Sequence, residues 1–160
     1  GFNIHFLEDL GLDVKIEEDQ PTLLKNAEKK AIELSKLTNW YVLASDGGVD
    51  IPGLGNKWDI LRNQRTVGEN KSDLEKAQKL LNLMMGLEGN DRKASYLLAL
   101  ALAKKGKLIW SIELISDYGF IADKLIYKKN TALPLDGAPL VLPTIQKSVQ
   151  SVNRKRKRRS

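Results

Sequence analysis

Between positions 21 and 36, apolar residues recur at intervals of three and four: Leu23, Leu24, Ala27, Ala31 and Leu34, with Ile32 at the margin. Lys25, Glu28, Lys29 and Glu33 fill the places between. This spacing predicts an amphipathic helix over residues 21–36, with Pro21 at a first helical position, where its missing N–H costs nothing. A second stripe, Leu74, Ala77, Leu80, Leu81 and Met84, predicts a helix over 72–85. Ser72-Asp73-Leu74-Glu75 opens it as a capping box, Gly86 stands where a helix ends, and Met84 and Met85 read as core filler. Elsewhere the period changes. Trp40-Tyr41-Val42-Leu43 reads as a short buried strand. Residues 93–103 and 108–115 flank the turn residue Gly106 and predict a β-hairpin, with Leu108, Trp110, Ile112 and Leu114 alternating on one face. Residues 119–126 extend the meander, 3–6 predict a short strand, and 14–16 are extended. The order of elements predicts an α/β fold with a βαβ-like beginning.

Composition narrows the chemistry. The chain has 160 residues, enough for one domain with a substantial core, assigned here to 1–150. It has no cysteine, so disulfides and thiolate metal sites are excluded. His5 is its one histidine, which removes a Ser-His-Asp triad or a His-rich metal site elsewhere. No apolar run approaches the ~18 residues that span a membrane, and no signal peptide is visible. The expected location is cytoplasmic, with no membrane partner.

The net charge of +6 sits in one place. Arg154, Lys155, Arg156, Lys157, Arg158 and Arg159 are six of the 26 basic residues, and without them 20 basic side chains face 20 acidic ones. Residues 151–160 therefore read as a basic, disordered tail. Nucleic acid is a partner only through this tail; the alternative is a solubilising end.

The candidate chemistry lies at Ala44-Ser45-Asp46-Gly47-Gly48. It follows the Trp40 strand and precedes Ile51-Pro52-Gly53-Leu54-Gly55, so a carboxylate is expected where a buried strand runs out. Ligands collect at such strand ends, and paired glycines allow close approach of phosphate. The alternative is an Asp-Gly-Gly turn between two strands. Residues 56–68 lack clean periodicity and predict irregular chain with a short helix. Trp58 is a candidate for stacking on a base, and Arg62 and Arg65 for pairing with phosphate oxygens. The alternatives are a packed Trp and solvated arginines.

Three segments together resemble the pyrophosphatases of non-standard purine nucleoside triphosphates, also called inosine triphosphate pyrophosphatases. Thr22-Leu-Leu-Lys-Asn-Ala-Glu-Lys-Lys-Ala31 is similar to the family's Thr-Phe-x-Glu-Asn-Ala-x-x-Lys-Ala helix. Ala44-Ser-Asp-Gly-Gly48, followed by Ile51-Pro-Gly-Leu-Gly55, Trp58, Arg65 and Gly68, resembles one branch of its acidic loop. Leu83-Met-Met-Gly-Leu-Glu-Gly-Asn-Asp-Arg-Lys-Ala94 resembles its link from helix to hairpin. The resemblance runs from about Glu17 to Ile121.

That resemblance implies a mixed central sheet with flanking helices, a homodimer, and magnesium-dependent hydrolysis of inosine or xanthosine triphosphate to monophosphate and pyrophosphate. It implies Asp46 as the catalytic carboxylate and metal ligand. It places Asn26, Lys30, Ser45, Gly47, Gly48, Trp58 and Arg65 around the substrate, and Arg62, from the reading of residues 56–68 above, joins them. Lys25 stands where the family has a metal-binding glutamate, and Glu28, on the same helix surface, is the candidate substitute. The family's Thr-x-Asn-x-x-Lys, Phe-Gly-Tyr-Asp and Ser-His-Arg motifs do not occur, and Pro143 and Lys147 only echo its Pro-x-x-x-Lys piece. The expectation is a relative truncated or divergent at both ends. The alternative is an impaired relative that binds nucleotide or, through its tail, nucleic acid.

Overall fold

A computed structural model of the chain describes residues 3–125. Pro143, Lys147, the boundary at residue 150 and the basic tail lie outside the described residues. The sheet holds β1 (Tyr41–Asp50), β2 (Lys93–Lys104) and β3 (Lys107–Phe120) in that order, each antiparallel to its neighbour. Helix α1 (Leu23–Lys36) precedes β1. Between β1 and β2 come 3-10 turns at Pro52–Lys57 and Ile60–Arg62, helices α2 (Asn63–Val67) and α3 (Asp73–Leu83), and a last turn at Gly89–Arg92. This is the α/β class with helices flanking a central sheet.

The hairpin forms around Gly106 as expected. Lys105 and Gly106 both take positive φ, 51° and 74°, as a tight two-residue hairpin turn requires. Gly106 N–H donates to Ser35 Oγ at 2.9 Å, which ties the turn to the end of α1. The capping box also forms: Glu75 N–H donates to Ser72 Oγ while Ser72 N–H donates to the Glu75 carboxylate.

Strand alternation gives the sheet two faces. Ala44, Asp46 and Gly48 of β1 share one face with Ala103, Ala101, Ala99 and Leu97 of β2. Leu23, Ala27 and Ala31 of α1 pack there against Ala44, Ala99, Ala101 and Ala103. Alanine on both sides brings the helix close to the strands. A second core gathers Val49, Ile51, Leu54, Trp58, Val67, Leu80, Met84, Ala94 and Ile121. Val49 pairs with Tyr96, which packs against that core, so this cluster lies on the opposite face and toward the other end of the strands. The two cores cover the sheet diagonally.

Several expectations need correction. The sheet is entered at β1: among the described residues no strand forms over 3–6 or 14–16, so the βαβ-like beginning is absent. β1 runs well beyond the predicted Trp40–Leu43 run, because the long β2 offers pairing partners as far as Asp50. Trp40 lies outside the strand, and Trp40, Tyr41 and Leu43 are exposed. Pro21 is not helical; Thr22 caps α1 by accepting Lys25 N–H at 3.1 Å. Of the piece predicted over 119–126, the described residues 119–125 form no separate strand, since β3 itself continues to Phe120. Leu108 leaves the face of Trp110, Ile112 and Leu114. A register shift pairs it with Ala103 while Trp110 pairs with Leu102, and an extra residue flips the side-chain order. Leu74 and Met85 are exposed, and buried Lys76 takes a place in the α3 face that the apolar stripe did not assign.

Candidate active site

Asp46 occupies the middle of β1, paired with Ala99, and not the end of a strand. It projects on the face covered by α1. Lys30, from the middle of that helix, reaches down beside it: Nζ lies 3.4 Å from Asp46 Oδ1 and donates to the Ser45 carbonyl at 3.3 Å. Asp46 Oδ1 also accepts Gly47 N–H at 3.0 Å. Asp46 Oδ2 is buried and has no hydrogen-bond partner among the described residues. A buried carboxylate oxygen without a partner is uncommon in a folded chain and marks a place for a cation, a water or a proton.

The other face of Lys30 meets Glu18, whose Oε1 lies 2.6 Å from Nζ. Glu18 is on irregular chain ahead of the helix, and α1 tethers that chain. Buried Asn26 accepts Gln20 N–H at 3.0 Å. Lys29 donates to the Glu17 carbonyl at 3.1 Å and to Asp19 at 2.8 Å. The Lys29 ammonium beside Asp19 lowers the pKa of that carboxyl, and Asp19 raises that of Lys29. Lys30 therefore bridges two carboxylates from separate parts of the chain. Glu18 was not among the residues singled out by sequence. The acidic run Glu17-Glu18-Asp19 was visible, but alternation along an untied segment does not tell which of the three turns toward α1.

The remaining candidates fall into two groups. Arg62 closes the 3-10 turn that begins at Ile60, and Ile60 packs over Gly48 on the face that carries Asp46. Arg62 and Arg65 are exposed, and their guanidinium groups make no hydrogen bond or ion pair among the described residues. They remain free for an anion. The others serve the fold. The Ser45 side chain is exposed on the opposite face, in register with Leu100. Trp58 is buried, donating its Nε1–H to the Val49 carbonyl at 2.6 Å, so it is core and not a stacking platform. Gly47 and Gly48 are laddered into the sheet. A Cβ at Gly48 would lie 2.6 Å from the Ile60 carbonyl oxygen, and one at Gly47 would meet the Tyr96 hydroxyl. Their missing side chains make room for packing and form no phosphate cradle.

Glu28 is not brought to Asp46. It lies over β3, where its carboxylate accepts from Ser111 Oγ at 2.8 Å and pairs with Lys25 at 2.7 Å. Hydrogen bonding to Lys25, then to Ser111, lowers its pKa against the opposing effect of burial. Among the described residues no group of three or more His, Cys, Asp or Glu side chains stands ready for a metal. Asp46 and Glu18 are the two carboxylates flanking one cation. Among the described residues no helix is long and apolar enough to cross a membrane.

Residues 1–118 match the Ham1 family. The chain is 35% identical over 113 residues to the dITP/XTP pyrophosphatase of Bacillus licheniformis, covering 71% of this chain and 57% of that protein. It is 32% identical over 113 residues to that of Bacillus subtilis, with the same coverage. The chain thus spans little more than half the length of these relatives. A Ham1 protein from Coxiella burnetii superimposes with a TM-score of 0.62 at 28% identity, over 73% of this chain and 59% of that one. The Staphylococcus aureus Ham1 protein gives 0.64 at 26% identity, over 87% and 70%.

Proposed function

The chain belongs to the Ham1 family, and we propose that its site takes the phosphates of a non-standard purine nucleoside triphosphate, such as inosine or xanthosine triphosphate, for hydrolysis to monophosphate and pyrophosphate. The observation that carries this reading is the buried Oδ2 of Asp46 beside Lys30, without a hydrogen-bond partner among the described residues. Water attacks the α-phosphorus, its proton passes to Asp46 Oδ2, and the bond to the leaving pyrophosphate breaks. Lys30 places positive charge on the phosphate oxygens, with Arg62 and Arg65 on the open side. Glu18 and Asp46 are the carboxylates that would hold a magnesium ion, which neutralises charge on the transferring phosphate when bound.

The test is pyrophosphate release from inosine and xanthosine triphosphates with magnesium, by the chain and by Asp46→Asn. Asn keeps the shape but takes no proton, and loss of a general base costs on the order of 10²–10⁴ in rate. Equal rates would place the chemistry elsewhere. A second reading, nucleotide binding without turnover, is favoured by Lys25, which neutralises the helix carboxylate Glu28. It predicts triphosphate binding with no pyrophosphate released. Pairing of two copies and a cytoplasmic location belong to the same proposal, the first to be checked by light scattering.

A further inference from the structure

Among the described residues, nothing covers the face of the sheet opposite α1 at its hairpin end. Successive cross-strand rows there read Tyr41, Lys104 and Lys107, then Leu43, Leu102 and Trp110, then Ser45, Leu100 and Ile112. The second core covers only the far end of this face, around Val49 and Tyr96. Tyr41 is 61% exposed and Trp110 46%. Lys104 Nζ lies 4.0 Å from the centre of the Tyr41 ring. Lys105 stands at the exposed turn, and Lys36 lies over Gly106 beside it.

Four lysines thus surround one end of an apolar and aromatic surface. None of them makes an ion pair among the described residues. Residues 34–45 and 92–112, which build this end, contain no Asp or Glu. A second copy docked tip to tip would bring like charges together. An anionic partner with flat apolar groups satisfies both halves of the surface.

We propose that the hairpin end of this open face binds single-stranded nucleic acid, with Lys104, Lys105 and Lys107 on phosphate oxygens and Tyr41 and Trp110 under unpaired bases. Tyr41 and Trp110 stand on outer strands one row apart, roughly 10–12 Å from strand and residue spacings. That separation lets both rings meet bases of one extended strand. Stacking needs no particular base, so binding is tolerant of sequence and falls steeply with salt. A duplex hides the base faces and loses the stacking half of the interaction. This surface is separate from the Asp46 site and stands whether or not the chain hydrolyses nucleotides.

The test is fluorescence anisotropy of labelled oligothymidylate at low salt with the full chain. Four variants accompany it: Lys105→Asn with Lys107→Gln, Lys107→Arg, Trp110→Ala, and a chain with Arg154 to Arg159 replaced by uncharged residues. Asn tolerates the positive φ of position 105, and circular dichroism checks each fold. The tail-replaced chain is expected to keep binding. The lysine pair should weaken it about tenfold and reduce the salt slope by roughly 1.4, about 0.7 for each lost phosphate contact. Trp110→Ala should weaken it about fivefold or more, and Lys107→Arg should retain it. Binding that vanishes with the tail, or that ignores the lysine and Trp110 substitutions, overturns the proposal. So does a face that takes no oligonucleotide, whether it instead takes anionic vesicles or a second copy seen by light scattering, or takes neither.

Discussion

Lys30 Nζ stands 2.6 Å from Glu18 Oε1, joining the middle of a helix to the chain that leads into it. Glu18 is 54% exposed at its side chain, so the pair adds little to stability, below about 1 kcal/mol. Its position beside Asp46 gives it another use. Glu18→Gln should leave the melting temperature within a degree or two while lowering pyrophosphate release about tenfold or more. Calorimetry beside the release assay separates the two effects. A large drop in melting temperature with unchanged turnover would make Glu18 a structural residue.

Glu28 supports a pH prediction of definite sign. Its folded pKa is lowered from the ordinary glutamate value because Lys25 and Ser111 bond the ionised form, against the opposing effect of burial. The stabilisation is therefore complete above the unfolded value, roughly pH 4.3, and is lost as pH falls through the lower folded value. Glu28→Gln should lower the melting temperature at neutral pH and flatten its decline in acid. A mutant curve parallel to wild type down to strongly acidic pH would contradict this.

Arg92 holds the end of α3 against the end of β3. Its guanidinium donates to the carbonyls of Met84 and Leu87 at 3.0 Å, of Ile121 at 2.8 Å, and of Ala122. Lysine has no planar fork to reach four acceptors. Arg92→Lys should cost roughly 1–3 kcal/mol, since carbonyls left without donors are expensive. Urea denaturation measures this, and a loss within error would show that solvent replaces the guanidinium.

Gly48 and Gly47 should respond differently to alanine. At Gly48 the new methyl meets the backbone carbonyl of Ile60, which cannot step aside. At Gly47 it meets the end of the Tyr96 side chain, which can turn. Overpacking costs about 1–3 kcal/mol. Gly48→Ala should lose most of that in a thermal melt and Gly47→Ala clearly less. The reverse order would mean the turn at Ile60 is the softer neighbour.

Where burial follows periodicity, the sequence was legible. The α1 stripe, the capping box and the hairpin around Gly106 all form near their expected places. The limits of reading were local signals overruled by partners distant in sequence. Asp-Gly-Gly carries turn residues, yet a long β2 draws it into the ladder. Trp58 offers an aromatic near a candidate site, yet its indole N–H finds the Val49 carbonyl. Leu108 follows the alternation on paper, but one unpaired residue reverses its face. At the site, Asp46 and Lys30 were readable as residue types on a strand and a helix. Glu18 was not, because only the tethering by Asn26 and Lys29 decides where that segment lies.

The diagonal arrangement of the two cores has a consequence for how the molecule breathes. Ala44 belongs to one core and Val49 to the other, so β1 is anchored near each end by a different cluster. Local opening of α1 frees one end, and opening around α3 frees the other. Neither alone releases the stretch between. Amides hydrogen-bonded between the central rows of β1 and β2 should therefore exchange with solvent hydrogen only through openings that undo both clusters, while α1 and α3 exchange by smaller, independent excursions. Asp46 rides on the segment that yields last, and its neighbours Lys30 and Glu18 on one that yields sooner.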